Sequence, residues 1–164
     1  MPGIANAIAG LNRRDIPVVV VTNQSAVARG LITEPELHKI HRHLAALLAE
    51  ENAVLDAIYY CPHHPDAGYP PYKIACECRK PAPGMILQAA RDHRLDLPSC
   101  VFIGDTLSDI EAAQRADVGH TILVRTGHGT KEAALMTGSR FQPHNISTDT
   151  PSAIRELFGD DVSA

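Results

Sequence analysis

No apolar run in the 164-residue sequence approaches the roughly 18 residues that a membrane-spanning helix needs, so no membrane partner is expected. The opening stretch, MPGIANAIAGLNRRD, carries Asn6 and Asn12 and has neither a basic leader nor a long apolar core, and it does not read as a secretory signal. Basic charge is scarce too. Fifteen Lys and Arg against nineteen Asp and Glu give a formal net charge of -4, without a basic cluster, which argues against a nucleic-acid partner. Low-complexity tracts, internal repeats and linkers are missing, and a single domain over residues 1–164 is expected. With only four cysteines and a cytoplasmic setting, reduced thiols or metal ligands are expected before disulfides.

What the sequence does contain is alternation. Residues 2–14 place Ile4, Ile8 and Leu11 at helical spacing, and Val18–Val21 is a β-branched run of the kind buried on both faces of a parallel sheet, with Thr22 and Asn23 at its end. Thr33 and Glu36 form a capping box for a helix in which Leu37, Ile40, Leu44, Leu47 and Leu48 recur. Residues 53–60 read as a second strand, Pro83-Gly84 opens a helix, Cys100–Ile103 is a strand, and Thr106–Ala116 is a helix. A strand in HTILVRTG and helical segments near 131–136 and 151–158 complete the pattern. Such alternation implies an α/β fold, a doubly wound, Rossmann-like parallel sheet with helices on both faces. Residues 61–82, rich in Cys, His and Pro, form a long irregular insertion of the kind that usually carries function.

Two constellations carry chemistry. Cys61-x-His63 followed by Cys76-x-Cys78 supplies three sulfurs and an imidazole, the ligand set of a closed tetrahedral Zn²⁺ site that folds a loop rather than activating water. His64 is an alternative to His63, and a disulfide pair is the competing structural reading. Cys100, within a strand, reads as a small buried hydrophobe. The second constellation is spread along the chain: Thr22-Asn23, Arg79-Lys80, and Gly104-Asp105 with Asp109 four residues later. In a parallel sheet Thr22 and Asp105 emerge at the same edge. There a hydroxyl, a lysine and a carboxylate suit a phosphate and a divalent cation. Taken singly, each residue is equally at home as a turn threonine, a solvated lysine or an acid at a helix start.

The strings VVVTNQSAVARG, YYCPHHP, CECRKPAPGM and FIGDTLSDIEAA, over about residues 2–130, resemble the haloacid dehalogenase superfamily. Within it they are most similar to the zinc-loop phosphatases acting on D-glycero-D-manno-heptose 1,7-bisphosphate, with the histidinol-phosphate phosphatases as neighbours. The resemblance implies that Thr22 binds the phosphoryl group with Asn23 in support, that Lys80 steadies phosphate and nucleophile, and that Arg79 contacts substrate. It also implies that Asp105 binds Mg²⁺, that Asp109 positions it, and that Cys61, His63, Cys76 and Cys78 hold Zn²⁺.

The sequence departs from the family pattern at three places. Ala26 stands where glycine is common, and Thr106 stands where lysine often follows the aspartate, removing a positive charge beside the phosphate. The third is larger. The family's DxD motif, whose first Asp attacks phosphorus and whose second is the general acid and base, is not present, and the only early acid is Asp15. The first, central strand of the sheet is expected to be missing with it, leaving two neighbouring strands with open edges. By itself the 164-residue chain is therefore expected to be inactive. It reads as a phosphatase completed by an upstream segment, or as a phosphosugar-binding protein, either a monomer or one completed by a partner chain's strand.

Overall fold

The computed structural model describes residues 2–135 and 138–159. The chain opens with α1 (Ile4–Asn12) and enters β1 (Val19–Asn23), the short α2 (Ser25–Ala28) and α3 (Glu34–Ala49). Next come β2 (Ala57–Cys61), the long insertion, α4 (Gly84–His93) and β3 (Val101–Gly104). The remainder is α5 (Leu107–Arg115), β4 (His120–Val124), α6 (Gly129–Leu135), β5 (Asn145–Ser147) and α7 (Thr150–Phe158). The expected segment at 131–136 begins two residues earlier, and its position 136 lies outside the described residues. Two elements, α2 and β5, carry no periodic signal because they are four and three residues long.

All pairings are parallel. β1 pairs with β2 from Val19↔Ala57 to Asn23↔Cys61, and a separate three-stranded sheet runs in the order β3-β4-β5. Among the described residues no ladder joins β1 to β3. Helices nonetheless bridge the two sheets on both faces. On one face Ala7 and Leu11 of α1 and Ile154 of α7 gather Val18 and Ile103. On the other, Ile86 of α4 and Ala112, Ala113 and Ala116 of α5 gather Val21 and Phe102. Adjacent residues Phe102 and Ile103 thus point to opposite faces, as a pleated strand requires.

The strand that the sequence marks as buried on both faces is only half-buried. Every residue from Val18 to Asn23 and from Val101 to Asp105 is intermediate in exposure, whereas Thr121–Val124 of β4, flanked on both sides, are fully buried. The physical reason is the open edge: helices cover the faces of β1 and β3, but no neighbouring strand covers the sides that face each other.

Helix α3 is the other correction. Its capping box forms as expected, with Thr33 N–H donating to Glu36 Oε2 (2.7 Å) and Glu36 N–H donating to Thr33 Oγ1 (3.4 Å). Of its five periodic apolar residues only Leu37 and Leu48 are buried, while Ile40, Leu44 and Leu47 are 54%, 39% and 47% exposed. Two strands form too narrow a platform to cover the whole stripe of a 16-residue helix. Leu87 of α4 is likewise exposed.

Candidate active site

Lysine 80 is the hub. Asn23, the last residue of β1, makes a reciprocal pair with its backbone: Asn23 Nδ2 donates to Lys80 O and Lys80 N–H donates to Asn23 Oδ1, both at 3.1 Å. The amide side chain thus mimics a strand neighbour and ties the end of the insertion to the sheet. From there the Lys80 ammonium donates to Val21 O (2.9 Å) and contacts Asp109 Oδ1 at 2.6 Å, its side chain 11% exposed and that of Asp109 6%. The lysine therefore joins β1 to α5 across the open space between the sheets.

Asp109 is held on every side. Its Oδ2 accepts from the N–H groups of Asp105 (3.1 Å) and Thr106 (3.0 Å), and its own N–H donates to Thr106 Oγ1 (3.2 Å), a capping box at the start of α5. Gly104 permits this approach, since a Cβ there would lie 2.4 Å from the Asp109 Cβ. The carboxylate so locked sets the backbone that carries Asp105. Asp105 Oδ2 accepts from His128 N–H (2.9 Å) in the loop after β4. Gly127, at φ +62°, makes room for it, because a Cβ there would meet Asp105 Oδ2 at 2.1 Å. Glu132 of α6 accepts from Leu107 N–H (2.8 Å) and ties that loop to α5. An open cavity of about 260 Å³ lies alongside, lined by Gly104, Asp105, Thr126, Gly127 and Thr150 among others.

Thr22 stands one residue from Asn23 and accepts from Gln24 Nε2 (3.2 Å), leaving its O–H to donate elsewhere. Arg79 turns to the insertion instead, its guanidinium donating to His63 O (3.0 Å). The geometry brings Asn23, Lys80, Asp109 and Asp105 into one chain of contacts, with Thr22 beside Asn23 at the end of β1 and Arg79 turned to the insertion. Hard oxygen donors beside a lysine and strand-end N–H groups fit a divalent cation and a phosphate. Asp15 lies before the N-terminal end of β1, in a left-handed turn at φ 55°, and lines a cavity with Asn12 and Asp56 at the opposite end of the strand. Among the described residues no further carboxylate contacts this set.

The insertion folds around its sulfurs. The ligand atoms of Cys61, His63, Cys76 and Cys78 all lie within 4.8 Å of one another. The thiols are 3.0–3.4 Å apart, with His63 Nδ1 3.5 Å from Cys78 and 3.8 Å from Cys61. A tetrahedral Zn²⁺ with bonds of about 2.3 Å spaces its sulfurs by about 3.8 Å, a small expansion of this cluster. Burial pushes the Cys61 and Cys78 thiols up, whereas at Cys76 burial is outweighed by hydrogen bonds with the Cys78 and Cys61 thiols, which hold the thiol down; a cation among the three would favour the thiolate forms. All four cysteines are free, and Cys100 is half-buried. Of the two histidines, His63 is the one beside the sulfurs, whereas His64 Nδ1 accepts from the N–H groups of Asp66 (3.1 Å) and Ala67 (3.0 Å).

Sequence reasoning missed His128 and Glu132, whose contributions are a backbone N–H and a long-range tether. The stretch RTGHGTKE, residues 125–132, reads in the sequence as a turn served by Gly127 and Gly129 or as a loop near the substrate, and neither reading contains the close approach of Gly127 to Asp105.

A family model described as HAD-hydrolase-like matches residues 77–153. The D-glycero-beta-D-manno-heptose-1,7-bisphosphate 7-phosphatase of Photorhabdus laumondii is 40% identical over 155 residues, covering 94% of this chain and 81% of that protein. The enzyme of the same name from Salmonella typhi is 38% identical over 154 residues, with 94% and 81% covered. The crystal structure of the D,D-heptose 1,7-bisphosphate phosphatase from B. bronchiseptica, complexed with magnesium and phosphate, superposes with a TM-score of 0.84 at 37% identity, covering 98% of this chain and 84% of that one.

Proposed function

The chain belongs to the haloacid dehalogenase-like hydrolases, and we propose that its site serves Mg²⁺-dependent removal of a phosphate from a sugar bisphosphate, D-glycero-D-manno-heptose 1,7-bisphosphate. The observation that carries this reading is the link from Lys80 to Asp109 to the backbone of Asp105, which holds a cation and a carboxylate at the ends of β1 and β3. Thr22 O–H binds a phosphoryl oxygen, with Asn23 holding the Lys80 backbone in place. The Lys80 ammonium offsets the negative charge that builds on the phosphoryl group. Asp105 is the residue to hold Mg²⁺, oriented by Asp109. Bound there, the ion supplies charge neutralisation at the phosphoryl oxygens. Arg79 contacts the sugar phosphate from the insertion, which Cys61, His63, Cys76 and Cys78 fold around Zn²⁺.

The nucleophile is the remaining part. Among the described residues no carboxylate other than Asp109 contacts Asp105, and no ladder joins β1 to β3. We assign the slot between them to an extended segment carrying an Asp-x-Asp pair, from sequence beyond these residues or from another polypeptide. Its first Asp attacks phosphorus, forming an aspartyl phosphate as the sugar oxygen leaves. The second protonates that oxygen and then activates the water that hydrolyses the intermediate. Alone, the 164 residues bind phosphosugar and do not turn it over. The four unpaired thiols support a place in the cytoplasm, and among the described residues no helix is long and apolar enough to cross a membrane.

The test is phosphate release from the heptose bisphosphate and from histidinol phosphate, by the 164-residue protein alone and with an added Asp-x-Asp strand peptide. Release only with the peptide and Mg²⁺, lost in Asp105→Asn, is expected. Turnover by the 164-residue protein alone would overturn the assignment of the nucleophile, and full activity in Asp105→Asn would overturn the role of the metal ligand.

A further inference from the structure

One carboxylate outside the site, Glu34, receives both arms of the insertion. It is the first residue of α3, and its Oε2 accepts from Tyr60 O–H while its Oε1 accepts from Tyr72 O–H, each at 2.6 Å. Tyr60 directly precedes Cys61, on the arm that enters the loop. Tyr72 lies four residues before Cys76, on the arm that leaves it, and its carbonyl accepts from His64 N–H (3.0 Å). The Tyr72 ring stands 6.2 Å from that of His63. One turn along α3, His38 Nε2 lies 2.7 Å from the same Tyr60 oxygen. The rings of His38 and His41 meet Tyr60 edge-on at 5.5 and 5.6 Å, so the phenol is held from two sides.

We propose that Glu34 is a positioning residue: a two-pronged clamp that keeps the insertion closed around its Cys/His cluster and thereby places Arg79 and Lys80 at the site. The loop's other anchors consist of or end on main-chain groups. Tyr69 N–H donates to Ala28 O (2.9 Å), where Gly68 packs so closely that a Cβ would lie 1.9 Å from that oxygen, and Lys80 pairs with Asn23. The arms also meet each other directly, through His64 N–H to Tyr72 O and Arg79 to His63 O, but Glu34 ties a side chain of each arm to α3, through hydrogen bonds to an ionised acceptor, which are stronger than those between neutral groups. Loss of the carboxylate frees the Tyr72 O–H and leaves the Tyr60 phenol with His38 alone, so both arms lose their shared acceptor in one step. Because Tyr60 is in register with Thr22, the slackening reaches the phosphate-binding end of β1 as well.

Two readouts test this, of which only the second is independent of the zinc reading. The first is the rate at which the zinc-loaded protein gives up zinc to a chromogenic chelator. The second is the rate at which trypsin nicks the metal-free protein after exposed Lys73, next to Tyr72. Glu34→Ala is expected to accelerate both by about tenfold, the scale of losing charge-assisted hydrogen bonds. Glu34→Gln is expected to stay within about threefold of the parent, since the amide oxygen accepts from one phenol and the amide N–H donates to the other. Adding Tyr72→Phe to Glu34→Ala is expected to change nothing further, because both remove the same prong. Nicking of Glu34→Ala within twofold of the parent, or a further acceleration in the double variant, would overturn the proposal. Zinc absent from the parent, with nicking still accelerated in Glu34→Ala, would overturn the metal reading and leave the clamp standing.

Discussion

Replacing Lys80 with methionine keeps the length of the side chain and deletes its charge, at a point where one ammonium serves both sheets. Lys80 Nζ is 2.6 Å from Asp109 Oδ1 and 2.9 Å from Val21 O, and the two ionised side chains are only 11% and 6% exposed. Removing one member of a buried ion pair costs about 3–5 kcal/mol, mostly because the other charge is left buried without its counterion. Asp109 keeps two backbone donors, from Asp105 and Thr106, so the lower end of that range, about 3 kcal/mol, is expected even with the Val21 carbonyl orphaned. With a urea slope of about 1.5–2 kcal/mol/M, the unfolding midpoint falls by roughly 1.5–2 M. Against a total stability of about 5–15 kcal/mol the change is large. Combining Lys80→Met with Asp109→Asn is expected to lose less than the sum of the two single changes, by at least about 1 kcal/mol, because the pair is a single interaction. A midpoint shift below about 0.5 M for Lys80→Met, or strict additivity in the double variant, would refute the claim that this contact joins the two sheets.

Gly127→Ala sets a Cβ 2.1 Å from Asp105 Oδ2 at a φ of +62°, and it is expected to lose about 1–2 kcal/mol of stability and to weaken Mg²⁺ binding in calorimetric titration; an unchanged titration would count against Asp105 as the ligand. Helix α3 offers an internal control for burial. Leu37→Ala, at 1% exposure, is expected to cost about 2–5 kcal/mol and Ile40→Ala, at 54%, under about 0.5 kcal/mol, both read from urea unfolding. The acid Asp149 caps α7 by accepting from Ser152 N–H, and that hydrogen bond holds its carboxyl below its ordinary value of 3.8. Since the folded value is the lower one, its contribution is complete above pH 3.8 and is lost as pH falls through the folded value. The Tm advantage of the parent over Asp149→Ala should therefore hold above pH 3.8 and shrink as the pH falls below it, and a constant difference would contradict the cap.

Several features were legible in the residues because their physical cause is local. The Thr33–Glu36 capping box follows from spacing, the parallel α/β class from alternating periodicity, and the Cys/His cluster from ligand chemistry, and each stands in the structure. The constellation proposed for phosphate and metal, Thr22, Asn23, Lys80, Asp105 and Asp109, stands in the sequence as a set of residue types at the ends of expected strands. Other features depend on groups far apart in the chain. Which imidazole stands beside the sulfurs, His63 rather than His64, was decided by the fold of the loop, and the partner of Lys80 by a contact 29 positions away. Glu34 could not be found by any pattern, since its partners are phenols 26 and 38 residues on.

The sequence by itself determined the kind of chemistry, because ligand softness, charge and hydroxyl donors belong to residue types and survive any arrangement. It also determined where helices begin, because a cap acts over three residues. Only the tertiary structure decided which of those groups meet, which half of the α3 stripe is buried, and that β1 and β3 face each other without a ladder. Burial and pairing are properties of neighbours in space, and an apolar run carries no record of whether its last neighbour is in place.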